Sequence, residues 1–378
     1  MSMRIFPVVA VLALLPATGV AQGSLGTLGF GYPTGQLSTR ALGAGGAMGE
    51  MDPLSATNPA VLSYFGGTVL YFQAEPEYRT LTSGGSSENS SVARYPLIAA
   101  AFPVSSTWTL GISASNFLDR TFRTQTRGIV VVSDTTLGVT NQFQSDGAVA
   151  DLRLAVAWNP VRWLKLGAAA HAIAGDNRVR NSERFDDSTR FAALLDTATI
   201  GYTGNALSAG AEVLLGTEVS LASSYRRGGS LSLKRGDTTI AMAHVPDRLA
   251  LSAAYIGIRG TALSVRTAHE TWTRMASLGS SSLRVSDTWD TSVGADVLGP
   301  RFGEHAVSVR TGMRWRTLPF GISTASVNEK TFSVGAGTLI GRGGRAALDL
   351  ALLHANRTAT PTLSETAWTL SVGLTVRP

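Results

Sequence analysis

Arg310 and Arg314 lie on one face of an alternating stretch, Val307-Ser308-Val309-Arg310-Thr311-Gly312-Met313-Arg314-Trp315-Arg316. Two guanidinium forks spaced along one face can take a carboxylate in paired, charge-assisted hydrogen bonds. Both are therefore candidate contacts for a substrate carboxylate. The same forks can also be satisfied by the chain's own carboxylates, since Asp290, Asp296 and Asp349 recur with the same facing. Other chemistry is poorly supplied. The five histidines, His171, His244, His269, His305 and His354, show no zinc spacing. Serines and aspartates are plentiful but sit in no nucleophile-elbow motif. With no cysteine, thiol catalysis, disulfides and thiolate metal sites are excluded. The expectation is a protein that is not an enzyme and has no cofactor and no metal.

The elements that carry these residues are strands. In the last one, Trp368, Leu370, Val372, Leu374 and Val376 point one way and Thr369, Ser371, Gly373, Thr375 and Arg377 the other. Successive side chains of a strand face opposite sides, and an aliphatic face opposed to a small polar one suits a wall between lipid and a wet lumen. The pattern predicts strands at 68–75, 95–104, 107–118, 148–159, 162–174, 203–215, 217–227, 247–256, 261–273, 288–297, 304–316, 330–339, 345–355 and 366–376. The first two of these read as apolar on both faces, as strands packed on an internal plug would. Fourteen is an even number, as bacterial barrels require. Tilted strands need about 9–11 residues to cross the hydrocarbon.

The links at 76–94, 119–147, 175–202, 228–246, 274–287, 317–329 and 356–365 are long and polar, and those between them are short. Short turns belong to the periplasmic side of such barrels and long loops to the outside, which places both termini in the periplasm. Trp108, Trp158, Trp163, Trp289, Trp315 and Trp368 fall at strand ends, at the depth of an aromatic girdle. Trp272 also falls at an end, but by parity it faces the lumen. The fold class is thus all-β, a 14-stranded antiparallel transmembrane β-barrel.

Composition agrees. Hydrophobic residues make up 44% of the chain and charged residues only 15%, yet amphipathic helical periodicity is almost absent. In a membrane without helices, backbone groups are satisfied only by closing a sheet. Residues 1–21 read as a signal peptide, with one basic residue, an apolar run Ile5–Leu15 and small residues before cleavage at Ala21. The destination is the outer membrane of a Gram-negative type cell. The net charge of +6 is scattered over loops and strand ends. It suits anionic outer-membrane lipids better than nucleic acid, which is not expected as a partner.

Residues 22–65 lack alternation and are rich in Gly, Ala and Pro. They read as a compact plug or arm, expected as an N-terminal hatch inside the lumen, with the barrel expected over 66–378. Asp52-Pro53 and Asn58-Pro59 each put a capping side chain ahead of a proline at a first helical position. The run Thr39-Arg40-Ala41-Leu42-Gly43-Ala44-Gly45-Gly46-Ala47, then Asp52-Pro53, then Ala56-Thr57-Asn58-Pro59-Ala60 resembles the hatch of the outer-membrane long-chain fatty-acid transporter family, the FadL/TodX type. Stretches at Val245-Pro246-Asp247-Arg248, Trp272-Thr273-Arg274, Asp287–Ala295 and Leu318-Pro319-Phe320 agree with it.

The resemblance implies a fourteen-stranded barrel and passive uptake of hydrophobic small molecules, fatty-acid-like or aromatic hydrocarbon. It also implies a monomer, with lateral release near the third strand. It makes Gly43, Gly45, Gly46, Asp52, Asn58, Pro59 and Ala60 the hatch motif. The chain departs from the family in having a single aspartate at Asp52, no aromatic C-terminal residue and no proline within 107–118. The same run occurs in PorV-type barrels, which implies the alternative of an interaction barrel serving protein secretion.

Overall fold

A computed structural model describes Leu25 and residues 31–378, apart from 133–134, 188, 279–282, 303–304, 323–324 and 341–343. The signal-peptide reading of residues 1–21 lies outside the described residues. Among the described residues, seventeen strands form one antiparallel sheet. They are β1 (Val69–Ser83), β2 (Ser86–Pro103), β3 (Trp108–Asp119), β4 (Phe122–Val132), β5 (Thr135–Val161), β6 (Leu164–Phe185), β7 (Leu194–Leu215), β8 (Val219–Arg235), β9 (Thr238–His244), β10 (Arg248–Ile258), β11 (Thr261–Glu270), β12 (Leu283–Val285), β13 (Thr288–Phe302), β14 (His305–Ile322), β15 (Ala325–Ile340), β16 (Ala346–Thr360) and β17 (Leu363–Val376).

The sheet closes where β1 pairs with β17, from Leu70↔Val376 to Ser83↔Leu363. Closure leaves no unpaired edge. β4 and β9 form hairpins with β5 and β8 at the far end, β12 pairs there with the end of β14, and the other fourteen strands make the wall. Each corresponds to one of the fourteen segments expected from alternation.

The ends on the long-link side differ from expectation. Most of what reads as loop continues the ladder. β1 and β2 meet at a tight Gly84-Gly85 turn with φ of 56° and 90°, so 76–94 is a protruding hairpin. The region 119–147 carries the β4–β5 hairpin, paired from Phe122↔Ser145 to Val132↔Thr135. Above the membrane both faces of a strand are wet, so hydrogen bonding continues while the alternation that would announce it disappears. β11 stops at Glu270, and Trp272 begins a 3₁₀ helix, Trp272–Leu278, instead of ending the strand.

The facing pattern holds along the wall. Trp108, Leu110 and Ile112 are exposed while Thr109, Ser113 and Ser115 are buried. Leu350, Leu352, Trp368 and Leu370 are exposed outward, whereas Ala351, Ser371 and Thr375 are buried. Trp108 and Trp158 are cross-strand partners whose rings stack at 5.6 Å. Residues 95–104 are apolar on both faces, with Leu97 and Ala101 buried inside and Ile98 and Phe102 exposed outside, and Leu97 packs with Tyr71 and with Ala56 of the N-terminal segment. In 68–75 the inner face turns polar at Gln73 and Glu75, which hydrogen-bond to each other and to Ser371 of β17.

Leu350→Arg puts a cation on the membrane face and is expected to cost about 2–4 kcal/mol at mid-membrane depth, read as a lower urea midpoint of the lipid-folded protein. Leu350→Met should leave that midpoint in place. Ala351→Arg, although inward-facing, is not the inexpensive change that a water-filled lumen would make it. Ala351 Cβ lies 3.7 Å from where a side chain on hatch residue Gly43 would begin.

Candidate functional site: the hatch and its seat in the wall

The N-terminal segment, the expected hatch, is built from two capped turns. The short helix α1 (Thr39–Gly43) is capped by Ser38, whose side chain accepts from Ala41 N at 3.1 Å. Ser38 Oγ also donates to Asp52, and Ser55 Oγ donates to the same Asp52 oxygen at 2.8 Å. Asp52 therefore ties the start of α1 to the second half of the hatch. Gly45 and Gly46 follow α1 with φ of 69° and 85°, a left-handed pair that β-carbon-bearing residues rarely adopt. The second turn is the 3₁₀ helix Pro59–Tyr64, capped by Asn58. Asn58 Oδ1 accepts from Ala60 N at 3.0 Å, and its Nδ2 donates to Glu50 O at 2.9 Å and to Ala211 O of β7 at 3.3 Å. Asn58, Pro59 and Ala60 are thus a rigid corner that touches the wall.

The wall receives these turns at glycines. Gly167 and Gly210 face each other across β6 and β7. A β-carbon at Gly210 would lie 1.9 Å from Asn58 Oδ1, and one at Gly167 would lie 2.4 Å from Ala60 N. On the other side of the lumen Gly294 and Gly312 pair across β13 and β14. β-carbons there would meet Ala44 O at 2.1 Å and Ala44 C at 2.3 Å, and one at Gly335 would meet Gly43 Cα at 2.9 Å. Gly45 N donates to Ser333 Oγ at 2.9 Å. Sequence reading picked out the hatch glycines but not these strand glycines. Their signal in the sequence was a glycine at an inward-facing position of each of these strands.

Charge fills what remains of the lumen. Glu50 of the hatch takes Arg248 and, at 3.2 Å, Arg266, with Ser224 Oγ donating at 2.6 Å. Burial alone would push the Glu50 carboxyl up, but the two guanidiniums and these hydrogen bonds hold it down to about 2. Tyr32 bridges the outer half. It donates to Glu329 at 2.9 Å and accepts from Arg357 at 2.9 Å and from Arg316. Its ring lies beneath the guanidiniums of Arg357 and Arg316 at 4.4 and 4.9 Å.

Arg310 donates to Asp296 at 3.1 Å and to Asp349 at 2.6 Å. Arg314 holds Asp290 in a two-pronged contact at 2.7 Å on each arm. Both forks face the lumen, and both are engaged by carboxylates of the chain. A substrate carboxylate at either would have to displace an aspartate.

The lumenal cavity beside Gln36, Phe117, Arg226, Trp272 and Arg316 holds about 60 Å³, room for a water or two. Above it Phe117 stacks on Trp272 at 5.5 Å. Leu118, Val149, Ile173, Leu231 and Met275 complete an apolar cluster there. The wall is most lightly sewn nearby. β2 pairs with β3 only from Leu97↔Ser115 to Pro103↔Thr109, whereas it pairs with β1 from Ala101 as far as Ser86. Over this seam lies an apolar concavity of about 680 Å³ on the membrane face, bordered by Leu70, Phe72, Ile98, Ile112, Leu152 and Leu154. Tyr71, Ala99, Ser113 and Arg153 border it too. These four also line a crevice that reaches Leu54, Ala56 and Leu62 of the hatch.

A closed antiparallel barrel with alternating facing, aromatic ends and an internally seated N-terminal segment defines an outer-membrane type of β-barrel. More particularly, the fold is that of the FadL and TodX type. A Pseudomonas aeruginosa FadL homologue superposes with a TM-score of 0.66 over 92% of this chain and 99% of that one, at 12% identity. The Pseudomonas putida toluene transporter TodX gives 0.59 over 92% and 99%, also at 12% identity. The Ralstonia pickettii toluene transporter TbuX gives 0.58 over 91% and 98%, at 13% identity. No protein-family model matches the sequence, and no curated protein matches it either.

Proposed function

We propose that this chain is an outer-membrane channel through which hydrophobic small molecules pass, with residues 22–65 as its hatch and both termini in the periplasm. The observation that carries this reading is the apolar concavity over the β2–β3 seam, which shares Tyr71, Ala99, Ser113 and Arg153 with the crevice at the hatch. A molecule leaving the hatch region sideways would meet small side chains and then an apolar surface in the membrane. Toluene transporters and a FadL homologue share the fold, which supports a hydrophobic cargo. With a lumenal cavity of about 60 Å³, passage requires the hatch to shift.

A second reading, a barrel that handles exported proteins and conducts nothing, is favoured by the same small cavity and by the paired state of Arg310 and Arg314. One experiment separates the two. Thr39 Oγ1 of α1 and Ser371 Oγ of β17 lie 2.8 Å apart, and the chain has no cysteine. Thr39→Cys with Ser371→Cys can therefore latch the hatch to the wall. Uptake of a fluorescent fatty acid or of toluene into proteoliposomes should stop on oxidation and return on reduction. Equal uptake in the latched and reduced states would refute gating by the hatch. No uptake in either state, or in the wild type, would leave the interaction barrel.

A further inference from the structure

Three lumen-facing side chains, of which Asp151 also meets Gln36 of the N-terminal segment, adopt an arrangement that the sequence does not announce. Ser208 Oγ of β7 lies 2.8 Å from Nε2 of His171 on β6. Nδ1 of the same ring lies 2.8 and 3.0 Å from the two oxygens of Asp151 on β5. The three are buried and come from adjacent strands, so their spacing is fixed by the ladder. With the Nδ1 proton held by Asp151, Nε2 is free to accept from the Ser208 hydroxyl. That is the hydroxyl, imidazole and carboxylate order of a serine nucleophile and its base, which is recognised by geometry and roles and not by sequence position.

The flanking positions carry positive charge with spare donors. Arg226 is the cross-strand partner of Ser208, and Arg153 that of His171. Among the described residues, Nε of Arg226 and both Nε and Nη1 of Arg153 are buried without a hydrogen-bond partner. The guanidinium of Arg226 lies over the Phe117 ring at 5.5 Å and 3.9 Å from Asp151. Buried, unspent N–H groups are uncommon and ask for a reason. Beside a serine nucleophile, donors of this kind are what a developing oxyanion requires.

Access follows from the hatch. Gln36 closes the Asp151 end with a hydrogen bond of 2.6 Å. The lumenal cavity is lined by Gln36 and Arg226, and it is large enough for water. Arg153 lines the crevice at the β2–β3 seam.

We propose that Ser208, His171 and Asp151 form an acyl-transfer site that hydrolyses carboxylic esters of apolar molecules admitted to the lumen. Ser208 Oγ attacks the ester carbonyl carbon while its proton passes to His171 Nε2, and the oxygen that becomes negative meets the N–H groups of Arg226 and Arg153. The ester C–O bond then breaks, and the leaving alkoxide takes the proton from His171. Water attacks the acyl-Ser208, giving its proton to His171. The acid is released and the proton returns to Ser208. This activity is additional to passage and does not depend on it.

The test uses the full barrel folded in detergent, an alkyl fluorophosphonate as trap and p-nitrophenyl butyrate as substrate. Wild-type protein, and more rapidly Asn58→Ala with its loosened hatch corner, should gain one phosphonate on Ser208 by mass spectrometry and hydrolyse the ester. Ser208→Ala should abolish labelling, and His171→Gln should slow it about 10²–10⁴-fold, each in a barrel with normal heat-modifiable folding. Uptake of an unreactive alcohol should be the same in Ser208→Ala as in wild type, which keeps this result separate from that of the channel. Absence of Ser208 labelling in both wild type and Asn58→Ala, or hydrolysis that survives Ser208→Ala, would overturn the proposal and make the three residues a structural network.

Discussion

Replacing Arg357 by methionine is expected to lower the unfolding free energy of the barrel by about 3–5 kcal/mol, the usual loss when one member of a buried ionic cluster is removed. Arg357 is 1% exposed. Its Nε donates to Glu329 at 2.6 Å, its Nη1 reaches Glu77 at 3.3 Å and also Glu365, and its Nη2 donates to Tyr32 at 2.9 Å. Without it three carboxylates crowd one small volume, and of the flanking cations Arg316 meets Glu329 while Arg79 and Arg94 meet Glu77. The loss is therefore mainly the cost of uncompensated charge, not of lost attraction. It should appear as a lower urea midpoint of the lipid-folded protein. Arg357→Met combined with Glu365→Gln, which neutralises the carboxylate whose ion pair was with Arg357, should recover much of it. A midpoint equal to wild type in the single variant would mean that water or other cations already neutralise these acids. Because Tyr32 belongs to the N-terminal segment, the single variant should also loosen the outer half of the plug.

The wall was legible in the sequence because lipid outside and polar contacts inside impose a period of two on a strand, and the wall segments from 107–118 onward carry it, whereas 68–75 and 95–104 read as apolar on both faces. Where lipid ends, that constraint ends, and the hairpins at 76–94 and 119–147 were legible only as polar links. Trp272 shows the same limit. Its inward facing followed from parity, but its place in a 3₁₀ helix stacked on Phe117 depends on a neighbour that lies far away in sequence. The capping turns at Asp52 and Asn58 were visible because a cap is a local event within a few residues.

The partners of the lumenal charges were not visible. Arg310 and Arg314 read equally well as substrate forks or as paired side chains, and only the register, which sets Asp296 opposite Arg310 and Asp290 diagonally across from Arg314, shows what they hold. Ser208, His171 and Asp151 are invisible to motif reading for the same reason. They meet across three strands.

Gly210→Val is expected to unseat the hatch while leaving the wall intact. Valine is well suited to a strand, so the ladder of β7 has no reason to fail. Its β-carbon, however, would lie 1.9 Å from Asn58 Oδ1 and 3.0 Å from Cδ of Pro59, which makes the corner rigid. The 3₁₀ helix cannot yield by turning a flexible side chain, since the obstructed atoms are Asn58's capping amide and Pro59 Cδ. Relief comes by moving the corner away, and with it the hydrogen bond from Asn58 to Ala211 O. Overpacking of this kind costs about 1–3 kcal/mol. As a shift in the seated-to-unseated equilibrium, that is about 5–150-fold.

Trypsin reads the shift directly. Arg40 is the single basic residue between 22 and 65, so cleavage after it reports a released hatch and should accelerate by the same factor in the folded, heat-modifiable barrel. Gly201→Val on the same strand is the matched control, because a β-carbon there meets only Lys234 O, at 4.0 Å. It should leave Arg40 as protected as in wild type. If Gly210→Val folds and protects Arg40 no less than Gly201→Val does, the paired glycines of β6 and β7 do not seat the hatch, and the corner is held by its hydrogen bonds alone.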